Sequence, residues 1–98
     1  MLEKKAIKSK NTVKVTFTFP ASLEAETVYL VGTFNDWSET DLPMKRHKDG
    51  SFTLTLELPE GTDYEFRYLV NNSEWHNEWE ADAYIPNPYS GDTSILKL

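Results

Sequence analysis

Hydrophobic and polar residues alternate one by one over long stretches of this chain. In TVKVTFTF (residues 12–19), every second side chain is apolar, and the same alternation recurs in SFTLTLEL (residues 51–58) and YEFRYLV (residues 64–70). Because successive side chains of a β-strand point to opposite faces, this pattern predicts half-buried strands. No window sustains the 3.6-residue period of a helix, so we expect an all-β protein.

Turn residues separate these segments. Asp49-Gly50 precedes SFTLTLEL and is typical of a hairpin, which predicts MKRHK (residues 44–48) as the partner strand. TVYLV (residues 27–31) and TSILKL (residues 93–98) read as further short strands, the latter after a Pro/Gly loop, IPNPYSGD (residues 85–92). Strands at this spacing predict an immunoglobulin-like antiparallel β-sandwich of about seven to eight strands.

Charge is distributed unevenly along the chain. The 98 residues carry a net charge of −6, yet half of the ten basic residues lie near the start: Lys4, Lys5, Lys8, Lys10 and Lys14. We expect residues 1–11 to form a flexible Lys-rich N-terminal tail and residues 12–98 to form one domain. The acidic body would repel a phosphate backbone, so no nucleic-acid partner is expected.

The sequence favours neither a membrane protein nor a secreted one. No apolar run approaches the roughly 18 residues of a membrane span, and MLEKKAIKSK lacks the apolar core and cleavage site of a secretory signal. We therefore expect no membrane association and a cytoplasmic location. The chain contains no cysteine, which excludes disulfides and thiolate metal sites.

Catalytic chemistry finds little support. Glycoside hydrolysis needs two carboxylates roughly 5–10 Å apart across a cleft, whereas the acidic residues here fall on strand exteriors and turns of a small sandwich. His47 and His76 lie outside any nucleophile motif. We expect no catalytic residues and no cofactor.

One acidic segment could also be a metal site. His76, Glu78, Glu80 and Asp82 recur at every second residue and would line one face of a strand with oxygen-rich ligands. The spacing lacks the loop geometry of a known calcium-binding motif, and an acidic outward face explains the pattern equally well. We expect no metal site.

Three tryptophans lie outside the clear core stripes. Trp37 follows the turn VGTFND, while Trp75 and Trp79 lie in the polar segment SEWHNEWEADAY. A flat aromatic face can stack on the apolar face of a sugar ring, and neighbouring polar side chains can bind its hydroxyls. The pattern indicates a sugar-binding surface. The alternative is that one or more indoles close the end of the sandwich, with Trp37 folded over Phe34.

The ordered motifs GTFNDW, DGSF, LPEG, FRYLV and NPYSG extend the argument, because together they resemble a known domain over Thr12 to Leu98. This is the early-set domain at the N-terminus of isoamylases and α-glucan branching enzymes. It belongs to carbohydrate-binding module family 48, which includes the glycogen-binding domain of the AMP-activated kinase β subunit. Within this family, the chain resembles short bacterial proteins that consist of this domain alone.

The resemblance implies an immunoglobulin-like sandwich without catalytic residues of its own. In the kinase domain, two tryptophans stack on glucose rings, and a basic residue between them binds a hydroxyl. Trp37 matches the first tryptophan, and Arg67 stands where that domain has lysine. Trp75 and Trp79 both remain candidates for the second, and we favour Trp75. Asn71 and Thr93 are expected to assist, although Asn71-Asn72 replaces Asp-Gly and Thr93-Ser94 replaces Asn-Asn.

Two functions follow from the resemblance. The first is a non-catalytic module that binds α-1,4-glucan, such as glycogen, starch or a maltooligosaccharide, by aromatic stacking. The second is a protein-interaction module that docks on a glucan-metabolising enzyme without binding sugar itself, since related domains pack against a catalytic domain.

Overall fold

Two antiparallel β-sheets make up the fold. The structure, a computed structural model, describes residues 2–21, 25–86 and 92–98. Within these ranges there are nine strands: β1 (Leu2–Ile7), β2 (Thr12–Phe19), β3 (Val28–Gly32), β4 (Lys45–Arg46), β5 (Phe52–Pro59), β6 (Asp63–Val70), β7 (Glu74–His76), β8 (Ala83–Pro86) and β9 (Asp92–Lys97). A 3-10 turn, Thr33–Asn35, follows β3. The all-β sandwich expected from the sequence is confirmed.

The order of the strands gives β6 a central position. One sheet runs β1-β2-β5-β4, and the other runs β3-β6-β9-β8 with β7 also paired to β6. Strand β6 pairs with β3 on one side, and on the other side its first half pairs with β9 and its second half with β7. Residues of β3, β6 and β7 are therefore neighbours on one face of the five-stranded sheet.

Aromatic side chains from the alternating strands join the two sheets. The ring of Phe17 in β2 meets Phe66 in β6 at a centroid distance of 5.2 Å, and Phe19 meets Tyr68 at 5.3 Å, both edge to face. All four side chains are buried. Burial of each such ring contributes about 1.5–3 kcal/mol, so the period-two pattern of β2 and β6 directly supplies the core.

After β3 the chain crosses from the five-stranded sheet to the four-stranded sheet. The backbone N–H of Leu30 donates to Leu42 at 2.9 Å, and that of Met44 donates to Val28 at 2.8 Å, so this segment lies along the outer edge of β3. The next residue, Lys45, already pairs with Thr53 in the other sheet. The hairpin predicted around Asp49-Gly50 is thus present, with Gly50 at φ +90°.

The start of the chain differs from the expectation of a flexible tail over residues 1–11. Leu2–Ile7 forms β1 and pairs with β2 throughout its length. The Lys4 ammonium contacts the carboxylate of Asp82 and donates to the Lys97 carbonyl at 3.2 Å, which ties β1 to the opposite sheet. Leu2 packs against the core. The run of lysines masked this short strand in the sequence.

Two further strands lie in segments where the sequence pattern predicted no core strand. Strand β7 is only three residues long, and β8 includes Ile85 and Pro86 from the predicted loop IPNPYSGD; residues 87–91 of that loop lie outside the described ranges. Within the described sheet, β8 pairs with β9 alone, and Pro86 is compatible with such an edge position. In the described part of the chain, no helix is long and apolar enough to cross a membrane.

Candidate functional site

The turn that carries Trp37 is held together by Asn35. The Asn35 side-chain oxygen accepts from the Gly32 N–H at 3.0 Å, and its Nδ2 donates to the carbonyls of Leu30 (3.3 Å) and Ser38 (3.2 Å). The N–H of Trp37 also donates to the Gly32 carbonyl at 2.8 Å. Trp37 has a left-handed backbone (φ 59°), which an L-residue adopts only when surrounding contacts enforce it.

Gly32 is required at the start of this turn by close approach. A Cβ placed there would lie 2.3 Å from the Glu65 carbonyl oxygen and 2.9 Å from the Phe66 Cβ. The absent side chain lets the turn press onto β6. The position of Trp37 therefore follows from two side-chain properties, the amide of Asn35 and the missing Cβ of Gly32.

Phe34, rather than Trp37, closes this end of the sandwich. Its ring lies 6.1 Å from both Phe17 and Tyr64, measured between centroids. Trp37 is 39 % exposed, and no aromatic contact to it occurs within the described residues. The alternative in which Trp37 folds back over Phe34 as a plug is not what the structure contains.

Arg67 and Trp75 form a contact on the outer face of the five-stranded sheet. Trp75 in β7 pairs with Leu69 in β6, which places its side chain beside that of Arg67 two residues earlier. The Arg67 guanidinium carbon lies 5.8 Å from the centroid of the Trp75 ring, within cation–π range. Trp75 is 39 % exposed, so part of the indole remains in contact with solvent.

The floor beneath this pair is apolar. Val31, which pairs with Arg67, and Leu69, which pairs with Trp75, are both buried although they lie on the outer face. Burial lowers the pKa of Arg67, but the guanidinium remains charged at neutral pH. Within the described ranges, its Nε is buried without a hydrogen-bond acceptor.

Trp37 belongs to the same region through β3. The strand that ends in the Trp37 turn contains Val31, the direct neighbour of Arg67. Trp37, Arg67 and Trp75 thus come from three adjacent elements, the end of β3, the middle of β6 and β7. The sheet order brings Arg67 and Trp75 into contact and places the turn that carries Trp37 at the end of the neighbouring strand.

Trp79 lies elsewhere. Its ring is 5.7 Å from that of Phe19 in the four-stranded sheet, and His76 packs on the same phenylalanine at 5.8 Å. Since alternate residues of β7 face opposite ways, His76 points inward and Trp75 outward. Trp75 and Trp79 are therefore on different surfaces, a separation that their four-residue spacing could not reveal.

Asn71 and Thr93 are used by the fold. The side-chain oxygen of Asn71 accepts from the backbone N–H groups of Glu26 (2.8 Å) and Thr27 (3.2 Å), which fixes the entry to β3. Thr93 is only 4 % exposed. The Asn71 side-chain oxygen is therefore already bonded to the backbone, and the Thr93 side chain is buried. Asn71 also has a left-handed backbone (φ 52°), which is typical of a turn residue.

Glu78 is an unexpected buried carboxylate. It is 1 % exposed; Oε1 accepts from the Tyr68 hydroxyl at 2.8 Å and Oε2 from the Glu80 N–H at 2.7 Å. The residue was expected to belong to an outward acidic face, which the structure corrects for Glu78. In the described ranges, no group of three His, Asp or Glu side chains is arranged to hold a metal ion.

Fold and surface together define a class of protein: an immunoglobulin-like sandwich that presents exposed indoles, one of them against an arginine, as a small binding domain. The sequence profile of the family described as the glycogen recognition site of AMP-activated protein kinase matches residues 13–86, and the chain belongs to this family. That family is a recognition module rather than an enzyme, which agrees with the resemblance seen in the motifs.

A curated relative agrees with this assignment. The 5′-AMP-activated protein kinase subunit beta-1 of Sus scrofa is 40 % identical to this chain over 53 residues, which cover 54 % of this chain and 40 % of that protein. The chain thus matches less than half of the length of this relative.

Proposed function

We propose that this chain is a non-catalytic module that binds α-1,4-linked glucan, such as glycogen, starch or a maltooligosaccharide, by stacking glucose rings on Trp37 and Trp75. The observation that carries the proposal is the partly exposed indole of Trp75 held against Arg67. Arg67 is expected to donate to a glucose hydroxyl. The membership of a glycogen-recognition family supports the same substrate class.

The strength of such a site can be bounded. If each stack removes on the order of 100 Å² of apolar area, it contributes ~2.5 kcal/mol at ~25 cal/mol/Å². Two stacks contribute ~5 kcal/mol, and a charged hydrogen bond from Arg67 adds about 1.5–3 kcal/mol. Association costs at least ~4 kcal/mol, which leaves a dissociation constant in the roughly millimolar range. Further polar contacts would be needed for micromolar binding.

The direct test is an NMR titration that follows the indole N–H signals of Trp37 and Trp75 as maltoheptaose is added. We expect saturable shifts at both, and none with cellohexaose, whose β-linked chain is flat. Arg67→Ala should weaken binding, whereas Arg46→Ala, an exposed arginine of β4 in the other sheet, is the matched control and should not. If neither indole signal shifts at maltoheptaose concentrations up to tens of times the expected dissociation constant of ~1 mM, the proposal is contradicted.

The docking alternative predicts a different result. A module that docks on a glucan-metabolising enzyme through its exposed aromatic residues would lose that enzyme from a pull-down when Trp75 is replaced by alanine. Retention of glycogen would be unchanged in the same variant. This pattern would replace glucan binding with docking as the function of the Trp75 surface.

A further inference from the structure

Trp79 is the most exposed tryptophan of the three, at 54 %, and the glucan-binding surface proposed above does not use it. It lies over the end of β2 with its ring against Phe19, whereas Trp75 lies on the outer face of the five-stranded sheet. A glucan chain stacked on Trp75 and Trp37 would therefore not reach it through the same surface.

The backbone on both sides of Trp79 is fixed. Before it, the Glu78 carbonyl accepts from the Tyr84 hydroxyl, and the Glu78 N–H donates to the Ser94 hydroxyl at 2.9 Å. After it, the Glu80 N–H donates to the buried Glu78 carboxylate. An exposed indole with both neighbours anchored is held in place before a ligand arrives, which lowers the ordering cost of binding.

A shallow depression of about 240 Å³ lies beside the indole and is lined by Thr18, Pro20, Trp79 and Glu80. The proline ring and the indole supply apolar surface, and Thr18 and Glu80 complete the lining. Ligand pockets for drug-sized molecules occupy about 300–1,000 Å³, so this depression suits one ring rather than a folded segment of a partner.

The surrounding charge narrows the ligand chemistry. Glu80 borders the depression, and the chain carries a net charge of −6, so phosphate or another anion would be repelled. A neutral ring with one apolar face and several hydroxyl donors fits both the indole and the carboxylate. A pyranose ring has these properties.

We infer that Trp79, Pro20 and Glu80 form a second sugar-binding site, which takes a single glucosyl ring and makes the chain bivalent for glucan. The inference rests on the proposed function for the choice of sugar, but its site is separate from Trp75 and Arg67. A module with two sites on different surfaces can hold two glucan chains at once, or bind one particle by two branches with higher avidity.

The test is the same NMR titration of the full chain with maltoheptaose, now read at the Trp79 indole and repeated in Trp75→Ala. We expect a saturable Trp79 shift in both proteins, with midpoints that agree within about a factor of two because distant sites act independently. Glu80→Gln should weaken the Trp79 response and leave the Trp75 response unchanged. This variant keeps the backbone N–H that binds Glu78.

The outcomes separate the two sites. The second site is overturned if Trp79 shows no shift or if its shift disappears in Trp75→Ala. It is also overturned if choline chloride alone produces the shift, because the indole would then be responding to a cation and not to a sugar. Saturation at Trp79 with silence at Trp37 and Trp75 supports the second site and contradicts the proposed function of the first. As a functional readout, glycogen particles should cross-link and scatter light with the wild-type chain, and Glu80→Gln should reduce this clouding. Unchanged clouding in Glu80→Gln counts against the second site.

Discussion

The guanidinium carbon of Arg67 lies 5.8 Å from the centroid of the Trp75 indole, on an apolar floor. An arginine in this position both steadies the indole and provides donors for a hydroxyl. Arg67→Ala should reduce affinity for maltoheptaose by roughly 10- to 100-fold, because a charged hydrogen bond contributes about 1.5–3 kcal/mol. Calorimetry with Arg46→Ala as control checks this. Equal affinity of Arg67→Ala and Arg46→Ala for maltoheptaose would show that Arg67 is not part of the binding site.

Asn35→Ala should loosen the Trp37 turn. The change deletes three hydrogen bonds to backbone groups of Leu30, Gly32 and Ser38, so we expect a loss of about 1–3 kcal/mol in the free energy of unfolding. Urea denaturation measures the loss. The Trp37 indole signal should also broaden or shift before any ligand is added, whereas Thr40→Ala, an exposed position beyond the turn, should leave it in place. An unchanged Trp37 signal in Asn35→Ala would contradict the proposed role of this amide.

Gly32→Ala and Gly61→Ala form a matched pair. At Gly32 the new methyl group would overlap the Glu65 carbonyl, so we expect a loss of about 3 kcal/mol or more. At Gly61 there is open space but φ is +80°, so the cost is the left-handed backbone alone, about 1–2 kcal/mol. Thermal unfolding of both variants tests the order. A smaller loss at Gly32 than at Gly61 would mean that β3 and β6 can separate to admit the methyl group.

Tyr68→Phe should change the response to alkaline pH. Burial, followed by the neighbouring Glu78 carboxylate, raises the pKa of Tyr68 far above its ordinary value of 10.0. A raised folded pKa means that the stabilisation is complete below pH 10 and declines above it, by up to about 1.4 kcal/mol per pH unit. We expect Tyr68→Phe to lose this slope and to be less stable at pH 7 by about 1–3 kcal/mol, since Glu78 loses a donor.

Urea denaturation between pH 7 and pH 11 provides the measurement. Tyr29→Phe, at a half-buried tyrosine of β3, is the control and should differ from wild type by less than about 0.5 kcal/mol at pH 7. If wild type and Tyr68→Phe lose stability in parallel above pH 10, the phenol is not the group responsible.

Asp82→Asn should weaken the attachment of β1. Burial raises the pKa of Asp82, but hydrogen bonds from the Lys4 ammonium and the Lys97 N–H outweigh it and leave the pKa below its ordinary value of 3.8. A lowered folded pKa means that the stabilisation is present above pH 3.8 and is lost as pH falls through the folded value. We expect a loss of about 0.5–1 kcal/mol at neutral pH that shrinks at pH 3 and below.

Urea denaturation at pH 7 and pH 3 tests the Asp82 expectation. Lys10→Ala is the comparison, because the Lys10–Glu57 pair is more exposed, with N and O 3.8 Å apart, and should contribute little. If Asp82→Asn costs as much at pH 3 as at pH 7, the charge of Asp82 is not what holds β1.

The long strands were predictable from sequence because alternation is a local property. The apolar sides of β2 and β6 were visible as every second residue, and the structure buries Phe17 and Phe66 as expected. Strand β1 was not predictable in the same way, because its lysines resemble a solvated run until Lys4 meets Asp82, 78 residues away. Such a contact has no signature in either segment alone.

The site was only partly predictable for a similar reason. Sequence identified Trp37, Arg67 and Trp75 as candidates, but the assignment of Trp75 and Trp79 to different surfaces depends on the register of β7 against β6. Asn71 has a polar side chain of the kind that can bind a ligand, but its amide oxygen instead accepts from the backbone at the start of β3. Whether a polar side chain serves a ligand or the backbone depends on which elements the fold brings next to it.

Strand β1 has one more consequence, for association between molecules. As the edge of its sheet it leaves a row of backbone donors and acceptors that another chain could extend by adding a strand. Its middle residues, Glu3, Lys4 and Lys5, are charged and exposed. A second copy paired antiparallel about Lys4 would place the two Lys4 ammonium groups opposite each other and would have to compete with Asp82 for Lys4. The lysines that concealed the strand in the sequence thus protect the sheet from edge-to-edge aggregation.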